Sequence, residues 1–581
     1  MDLQVWTNEN EGSTVNFTER TDSGFPGIKF IDIDIEFKEY ANPKKIVIAW
    51  YMPIIDAYGL QDFGVMYDRN NPPSWHPRVN YFSGNRYAPF QQLVSSDGRN
   101  SLTLTLSDAT TYSNIKCGVE EPFAAEEIIL DLFNCPCPKM KDYHVTVYID
   151  DNDKPYDEAV TSVLRFWEEK CGYKYAFTPD DAREPLYSAW YSFHRDQYAD
   201  KIVEQCKMAV KYGMKVVIVD DGWELAENNH GFQSGGDWEP YLPKVHDMKE
   251  FARRVHETGM KIMVWFSPAH CGPYTKAYQR FKDMLVNPDS GEDPVFDPRY
   301  PEVRKYLEER IADQAIEWDL DGFKLDFIDA MFPGKTTPPI NDKMDFDSVY
   351  DAVDALLKAI TDKVRAFKPD FLIEFRQAYF GPAIRQYGNM LRVSDCPDDS
   401  MRNHVAGIWM RQTVGPQSVH SDMLMWHNDD PVESVANQFL CCMYLVPQIS
   451  MRLDELNEEH KLALKTFLDF WTEHKDTLLF GKLTADNPTR NYTLVKAEKD
   501  GETIAVAHAK PVLTVDDFDK LYLFNASDEN KLIVFAEKDF KEVCITITDC
   551  CGRTVSEKKY SLTKGAHIFD VPKSGMLRIN R

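Results

Sequence analysis

The chain changes rhythm twice along its length. Over roughly the first 150 residues apolar and polar positions alternate in short runs, "IKFIDIDIEF", "KKIVIAWYM", "SLTLTLS" and "YHVTVYID", separated by Asn, Asp, Gly and Pro. A period of two buries one face of a strand, and frequent turn residues fold such strands back on one another. This region is therefore expected to be an antiparallel β-sandwich. Residues 155–172, "PYDEAVTSVLRFWEEKCG", read as a connecting helix, and "FTPDDAREP" as a linker.

From about residue 185 short apolar runs alternate with amphipathic helices. The runs are "PLYSAWYSF", "MKVVIVDDGW", "MKIMVWFSP", "GFKLDFID", "FLIEFRQ", "MLRVSD", "QSVHSDML" and "PQISM". The helices are expected near 197–212, 247–258, 302–317, 345–367, 381–388, 400–412, 432–445 and 456–474, the fifth of them short. Eight strand–helix units with nearly continuous apolar strands predict a (β/α)8 TIM barrel. An open doubly wound sheet would give similar units, but the count of eight and the lack of a GxGxxG loop favour the barrel. From about 485, "YTLVKAEK", "TIAVAHAK", "KLYLFNAS" and "VCITITD" return to alternation and predict a small antiparallel β-domain. The expected division is 1–175, 176–480 and 481–581: sandwich plus linker helix, barrel, and C-terminal β-domain.

One stretch breaks the apolar pattern. In "GFKLDFIDAM" the charged Lys324 and Asp326 stand two apart among Phe323, Leu325, Phe327 and Ile328, so both face the same side of a strand. Buried charges are costly unless paired or used. In a (β/α)8 barrel the C-terminal strand ends build the active site. Those ends here carry Trp190, Asp220, Asp221, Trp223, Trp265, Lys324, Asp326, Glu374, Arg376, Arg392, Asp395, His420 and Asp422. The set is carboxylates, cations and tryptophans, without a Ser–His pair or a phosphate loop. Such a set suits sugars, whose hydroxyls take charged partners and whose C–H face stacks on indole. Glycoside hydrolysis needs two carboxyls flanking the scissile bond. Asp326 on the fourth strand and Asp395 on the sixth can face each other across the barrel mouth, with Lys324 keeping Asp326 ionised.

Charge narrows the partners. Asp and Glu number 93 against 66 Lys and Arg, a net charge of -27, which repels nucleic acid and anionic membranes and fits a small neutral substrate. "MDLQVWTNENEGS" lacks the basic and apolar regions of a signal peptide, and no apolar run is long enough to span a bilayer. The twelve cysteines are scattered, and Cys135 with Cys137, Cys441 with Cys442, and Cys550 with Cys551 lack zinc-ligand spacing. Reduced thiols in a cytoplasmic protein are expected.

Together "VVIVDDGW", "MKIMVWFSP", "GFKLDFID" and "LRVSDCPDD" resemble the motifs of glycoside hydrolase family 36, the α-galactosidases of clan D, in all three regions and in order. The resemblance implies a retaining double displacement on small α-galactosides with no metal or organic cofactor. It implies Asp326 as nucleophile and Asp395 as acid/base. Asp220 and Asp221 would bind the galactose O4 and O6 hydroxyls, Lys324 and Arg392 would serve the same pocket, and Trp190 and Trp265 would line it. Family members often form oligomers, so a homo-oligomer is implied too. The fifth strand departs from the family's Cys/Gly-rich turn near the sugar O2: it reads "IEFRQAYFGP", placing Arg376 or Gln377 there.

Rival readings stay open at this point. Within the class stand an α-N-acetylgalactosaminidase and a galactosyl transferase of the raffinose-synthase kind. Outside it stand a non-catalytic sugar-binding barrel and a metal-dependent hydrolase using His420 and Asp422. Residue by residue, Asp326 could be a structural partner of Lys324, and Asp220–Asp221 a helix cap. Trp190 and Trp265 could be core, and Glu374 with Arg376 an internal salt bridge. Asp398 and Asp399 rival Asp395, but they follow Pro397 and are expected to start a helix. Asp329 is expected to begin a loop, and Trp426 and His427 to line the pocket mouth.

Overall fold

The computed structural model describes residues 3–63, 78–226, 231–509 and 512–581. The N-terminal alternation gives two antiparallel sheets, of five and six strands. In the strand Lys29–Ala41, Ile31, Ile33 and Ile35 point into the space between the sheets, where Ile46, Ile48, Trp50, Ile128 and Leu130 meet them. The helix Tyr156–Glu169 follows, burying Tyr156, Val160, Val163, Phe166 and Trp167 in a core that continues into the barrel. The Trp167 indole N–H donates to the Leu106 carbonyl at 3.0 Å, tying helix to sandwich.

Eight parallel strands then form the barrel: β1 (Leu186–Ser188), β2 (Val216–Val219), β3 (Lys261–Phe266), β4 (Gly322–Leu325), β5 (Leu372–Arg376), β6 (Met390–Arg392), β7 (Ser418–His420) and β8 (Gln448–Ile449). From β1 to β7 each pairs with the next, and β8 pairs with β1. Closure between β7 and β8 runs through the segment ahead of β8, where the Val446 N–H donates to Val419 at 2.9 Å and the Ser421 N–H to Val446 at 3.0 Å.

The register stacks side chains in layers. Leu186, Val216, Ile218, Met263, Leu372 and Met390 fill the lower barrel as an apolar plug, with Ala182 of the preceding linker beneath. One layer up, Trp265 is level with Lys324, and Lys324 with Glu374; above that, Arg376 is level with Arg392. Lys324 and Asp326 therefore share the inward face, as their two-residue spacing predicts. Gly322, beneath Lys324, has no room for a side chain, since a Cβ would lie 2.5 Å from the Leu372 carbonyl oxygen.

The expected helices surround the barrel, with two differences. The fifth is only a 3-10 turn, Ile384–Gln386, and the third contains a π-helical segment, Glu309–Asp313. The C-terminal sheets have seven and three strands. Most pairs are antiparallel as expected, but Glu502–Ala507 runs parallel to Lys520–Asn525, and Val512–Val515 to Lys531–Ala536. Alternation sets the buried face and leaves strand direction open.

The sandwich also touches the barrel mouth. Asn85 donates its amide to the carbonyls of Ile328 and Met331 at 2.9 and 2.8 Å, and the Tyr87 N–H donates to Ala378 at 2.9 Å. A turn of the N-terminal region thus holds the segments that follow β4 and β5. Among the described residues no helix is long and apolar enough to cross a membrane, and all twelve cysteines are unpaired.

Candidate active site

At the C-terminal end of β4 the chain turns sharply. Phe327 takes a left-handed backbone (φ 56), unusual for an aromatic residue and costing on the order of 1–2 kcal/mol. That turn aims the Phe327 N–H at Asp326 Oδ1, at 2.9 Å. The same oxygen accepts from Arg376 Nε at 2.6 Å and from the Tyr379 hydroxyl at 3.1 Å. Oδ2 is held more lightly, by the Trp265 indole N–H at 3.2 Å, with Lys324 Nζ at 3.8 Å. Burial alone would raise the Asp326 carboxyl; Arg376 first, then Lys324, overcome it and hold the group well below the usual carboxylate range. Asp326 is thus held as a buried, ionised carboxylate at the C-terminal end of β4.

Lys324 has a closer partner than the sequence suggested. Its Nζ donates to Asp220 Oδ2 at 2.8 Å, and although burial disfavours its charge, Asp220 raises its pKa above the ordinary lysine value. Asp221 pairs through Oδ2 with Arg195 Nε at 2.9 Å, while its Oδ1 is buried without a hydrogen-bond partner. Burial pushes the Asp221 carboxyl up, and Arg195 offsets part of that. The next residue must be glycine: Gly222 has φ +112, and a Cβ there would lie 2.5 Å from the Arg195 Cα. Asp220 and Asp221 do not cap the α-helix that follows, Met248–His256, whose cap is Asp247, accepting from the Glu250 N–H at 3.0 Å.

At the end of β6 the contacts centre on Arg392, whose side chain is 1 % exposed. Its Nη1 donates to Asp422, its Nη2 to Asp395 at 2.9 Å, and its Nε faces Glu374 at 3.4 Å. Asp422 also accepts from the Tyr191 hydroxyl at 3.0 Å and the Cys396 N–H at 2.7 Å, so through Arg392 and Cys396 it holds the chain on both sides of Asp395. Asp395 itself is half open, with 53 % of its side chain exposed. Protein crowds it closely enough that burial pushes its carboxyl up; Arg392, then Lys324, outweigh that and bring it below the ordinary value. Burial raises Glu374 and Asp422, with Arg392 opposing in both.

The other expected residues fall as follows. Trp265 is 2 % exposed, packed edge-on against Trp238 at 5.7 Å, so it braces Asp326 more than it offers an open face. Trp190, partly exposed, stacks on His194 at 4.9 Å. Glu374 and Arg376 do not pair with each other: Glu374 accepts from Gln448 at 2.6 Å and faces Arg392, while Arg376 goes to Asp326. Asp399 caps the helix Ser400–Thr413, as expected of an acid after Pro397, and Asp398 accepts from Gln438 at 3.2 Å. Asp329 sits in the short 3-10 turn Ile328–Ala330. Trp426 is buried in the core and His427 is exposed.

His420 and Asp422 part company. His420 contacts the Ala182 carbonyl at 2.8 Å, toward the barrel floor, and burial lowers its pKa to about 3, so it is neutral. Among the described residues no three His, Cys, Asp or Glu side chains stand close enough to hold a metal ion.

Tyr191, Arg195 and Tyr379 belong to the site but were not singled out in the sequence. All lie in segments beyond strand ends, where no period marks direction; the one available signal was their closeness in sequence to strand-end residues. The assembled chemistry is a buried, ionised carboxylate at the end of β4, a half-open carboxyl after β6, and acidic and basic hydrogen-bonding groups at the neighbouring strand ends.

The family profile described as melibiase matches residues 174–481. Alpha-galactosidase Mel36A of Lactobacillus acidophilus is 30% identical over 152 residues, which cover 26% of this chain and 20% of that protein. The chain thus matches about a fifth of the length of this curated relative. The solved structure of the alpha-galactosidase AgaA variant A355E from Geobacillus stearothermophilus with 1-deoxygalactonojirimycin superposes with a TM-score of 0.65 at 14% identity, covering 98% of this chain and 81% of that one. A doubly substituted AgaA with raffinose gives 0.64 at 14% identity, over 98% and 81%. At such identity these structures speak for the shared fold.

Proposed function

This chain belongs to the melibiase family, and from that premise we propose that it is a retaining exo-α-galactosidase. It would remove terminal α-D-galactosyl residues from small galactosides by double displacement. The observation that carries the reading is the pair of unlike carboxyls: Asp326, buried and kept ionised by Arg376 and Lys324, and Asp395, half open after β6. In this reading Asp326 attacks the anomeric carbon. Asp395 gives a proton to the leaving oxygen and then takes one from water. Asp395 must be protonated for the first step; a bound sugar that excludes water would strengthen the burial that already pushes it up.

Asp220, Asp221 and Lys324 would bind the sugar hydroxyls, with Arg392 orienting Asp395 and Trp190 at the side of the pocket. Raffinose, which the AgaA structure holds, is a candidate substrate. Neither step needs a metal or an organic cofactor. Unpaired cysteines support a cytoplasmic setting. Residues 1–175, 176–480 and 481–581 would be its three units, in a chain that forms homo-oligomers as its family often does.

Azide rescue tests the assignment. Asp395→Ala should lose raffinose cleavage, keep much of the glycosylation step with a nitrophenyl leaving group, and yield an α-galactosyl azide. Asp326→Ala should lose both activities and yield the β-azide on rescue. Leaving-group dependence in Asp398→Ala or Asp399→Ala, with none in Asp395→Ala, would overturn it.

A further inference from the structure

The two oxygens of Asp326 are held very unequally. Oδ1 receives the Arg376 guanidinium, the Tyr379 hydroxyl and the Phe327 amide, at 2.6, 3.1 and 2.9 Å. Oδ2 has a single hydrogen bond, from the Trp265 indole N–H at 3.2 Å, with the Lys324 ammonium farther off at 3.8 Å. The donors on Oδ1 are fixed. The Arg376 guanidinium lies over the Phe327 ring at 4.8 Å and donates again to the Gln377 carbonyl at 3.1 Å. Tyr379 is fully buried, and its one hydroxyl proton is shared between the Leu325 carbonyl, at 3.0 Å, and Asp326 Oδ1, at 3.1 Å.

This matters differently in the two halves of a double displacement. In the first, a lone pair on one carboxylate oxygen forms the bond to C1, the bond from C1 to the leaving oxygen breaks, and Asp395 supplies that oxygen's proton. Asp326 becomes a neutral ester and its other oxygen a carbonyl, a weaker acceptor. In the second, water attacks C1 and gives its proton to Asp395. The C1–carboxyl bond breaks, and the electron pair returns to a carboxylate whose charge is shared with the spectator oxygen. Donors on the spectator oxygen favour the free carboxylate over the ester, so they temper the attack and ease the departure.

We propose that Arg376 and Tyr379 are positioning residues that make Asp326 Oδ1 the spectator oxygen, leave Oδ2 to attack, and speed release of the galactosyl group from Asp326. The proposal rests on Asp326 being the nucleophile, and the test separates the two.

Tyr379→Phe removes one oxygen from a packed ring, and Arg376→Gln removes the charge. With 2,4-dinitrophenyl α-galactoside, stopped-flow measurement should show a burst of dinitrophenolate stoichiometric with enzyme in both variants. The kcat should fall on the order of tenfold, as loss of a hydrogen bond to a charged group implies. KM should fall by at least as much, so that kcat/KM holds or rises while kcat falls. If kcat and kcat/KM fall together without a burst, or if Tyr379→Phe leaves kcat unchanged, the proposal is overturned. In parallel, wild-type enzyme is inactivated with 5-fluoro-α-galactosyl fluoride and the labelled peptide mapped. A label on Asp326 with no burst in the variants defeats the clamp alone; a label elsewhere defeats the nucleophile assignment.

Discussion

Replacing Asp221 by Asn tests the sugar-recognition reading, because the structure predicts effects of opposite sign on activity and stability. Asp221 Oδ2 is bound by Arg195, but its Oδ1 is a buried acceptor without a partner. A buried lone oxygen is costly in the free protein and valuable once a hydroxyl reaches it. Asp221→Asn keeps the shape and removes the charge. Losing a charge-assisted bond to one sugar hydroxyl is worth about 1.5–3 kcal/mol, or roughly 10- to 150-fold in kcat/KM. Stability should move the other way. Burial raises the Asp221 carboxyl, so the folded chain binds its proton more tightly than the unfolded chain does. Ionising it therefore costs stability at neutral pH, and the cost is relieved as pH falls. The Asn variant should unfold at the same or higher urea concentration at pH 7, and its advantage should shrink in acid. Arg195, with 37 % of its side chain exposed, can turn to solvent. The assays are kcat/KM on nitrophenyl α-galactoside and α-glucoside, with urea melts at pH 7 and pH 5. Full activity with intact discrimination against the glucoside would refute the recognition role, and a clear loss of stability at pH 7 would refute the argument from the orphaned oxygen.

Arg392→Leu should destabilise the protein by about 3–5 kcal/mol, since it leaves Glu374 and Asp422 buried without their cation; an unchanged urea midpoint would contradict this. Asn85→Ala should loosen the turn after β4, because two buried carbonyls lose their donor at a cost of about 1–3 kcal/mol each. Faster amide exchange over 327–332 with a lower kcat is the expected signature, and unaltered exchange there is the contrary one. Dialysis against EDTA should leave the activity on nitrophenyl α-galactoside intact, whereas loss restored by a divalent cation would favour metal-dependent hydrolysis.

How much of this was legible depends on how local each feature is. The barrel was readable because each strand–helix unit carries its own pattern, and the inward direction of Lys324, Asp326, Glu374 and Arg376 follows from a period of two within one strand. Partners were not readable, because they depend on register between strands. Lys324 beside Asp326 suggested a pair, yet its nearer partner is Asp220, two strands away. Glu374 and Arg376 also suggested a pair, and each instead faces a neighbour on another strand. Tyr379 and Tyr191 lie in segments with no period to mark their direction, and only folding brings their hydroxyls to Asp326 and Asp422. The parallel pairs of the C-terminal sheets escaped for a related reason, since alternation looks the same in either direction.

The central claim is a double displacement through Asp326, and the most direct test is the anomer released first. Proton NMR of nitrophenyl α-galactoside hydrolysis, recorded faster than mutarotation, should show α-galactose appearing before the β-anomer. Two inversions at C1, by Asp326 and then by water, return the starting configuration. β-Galactose appearing first would mean a single displacement by water and would contradict the account.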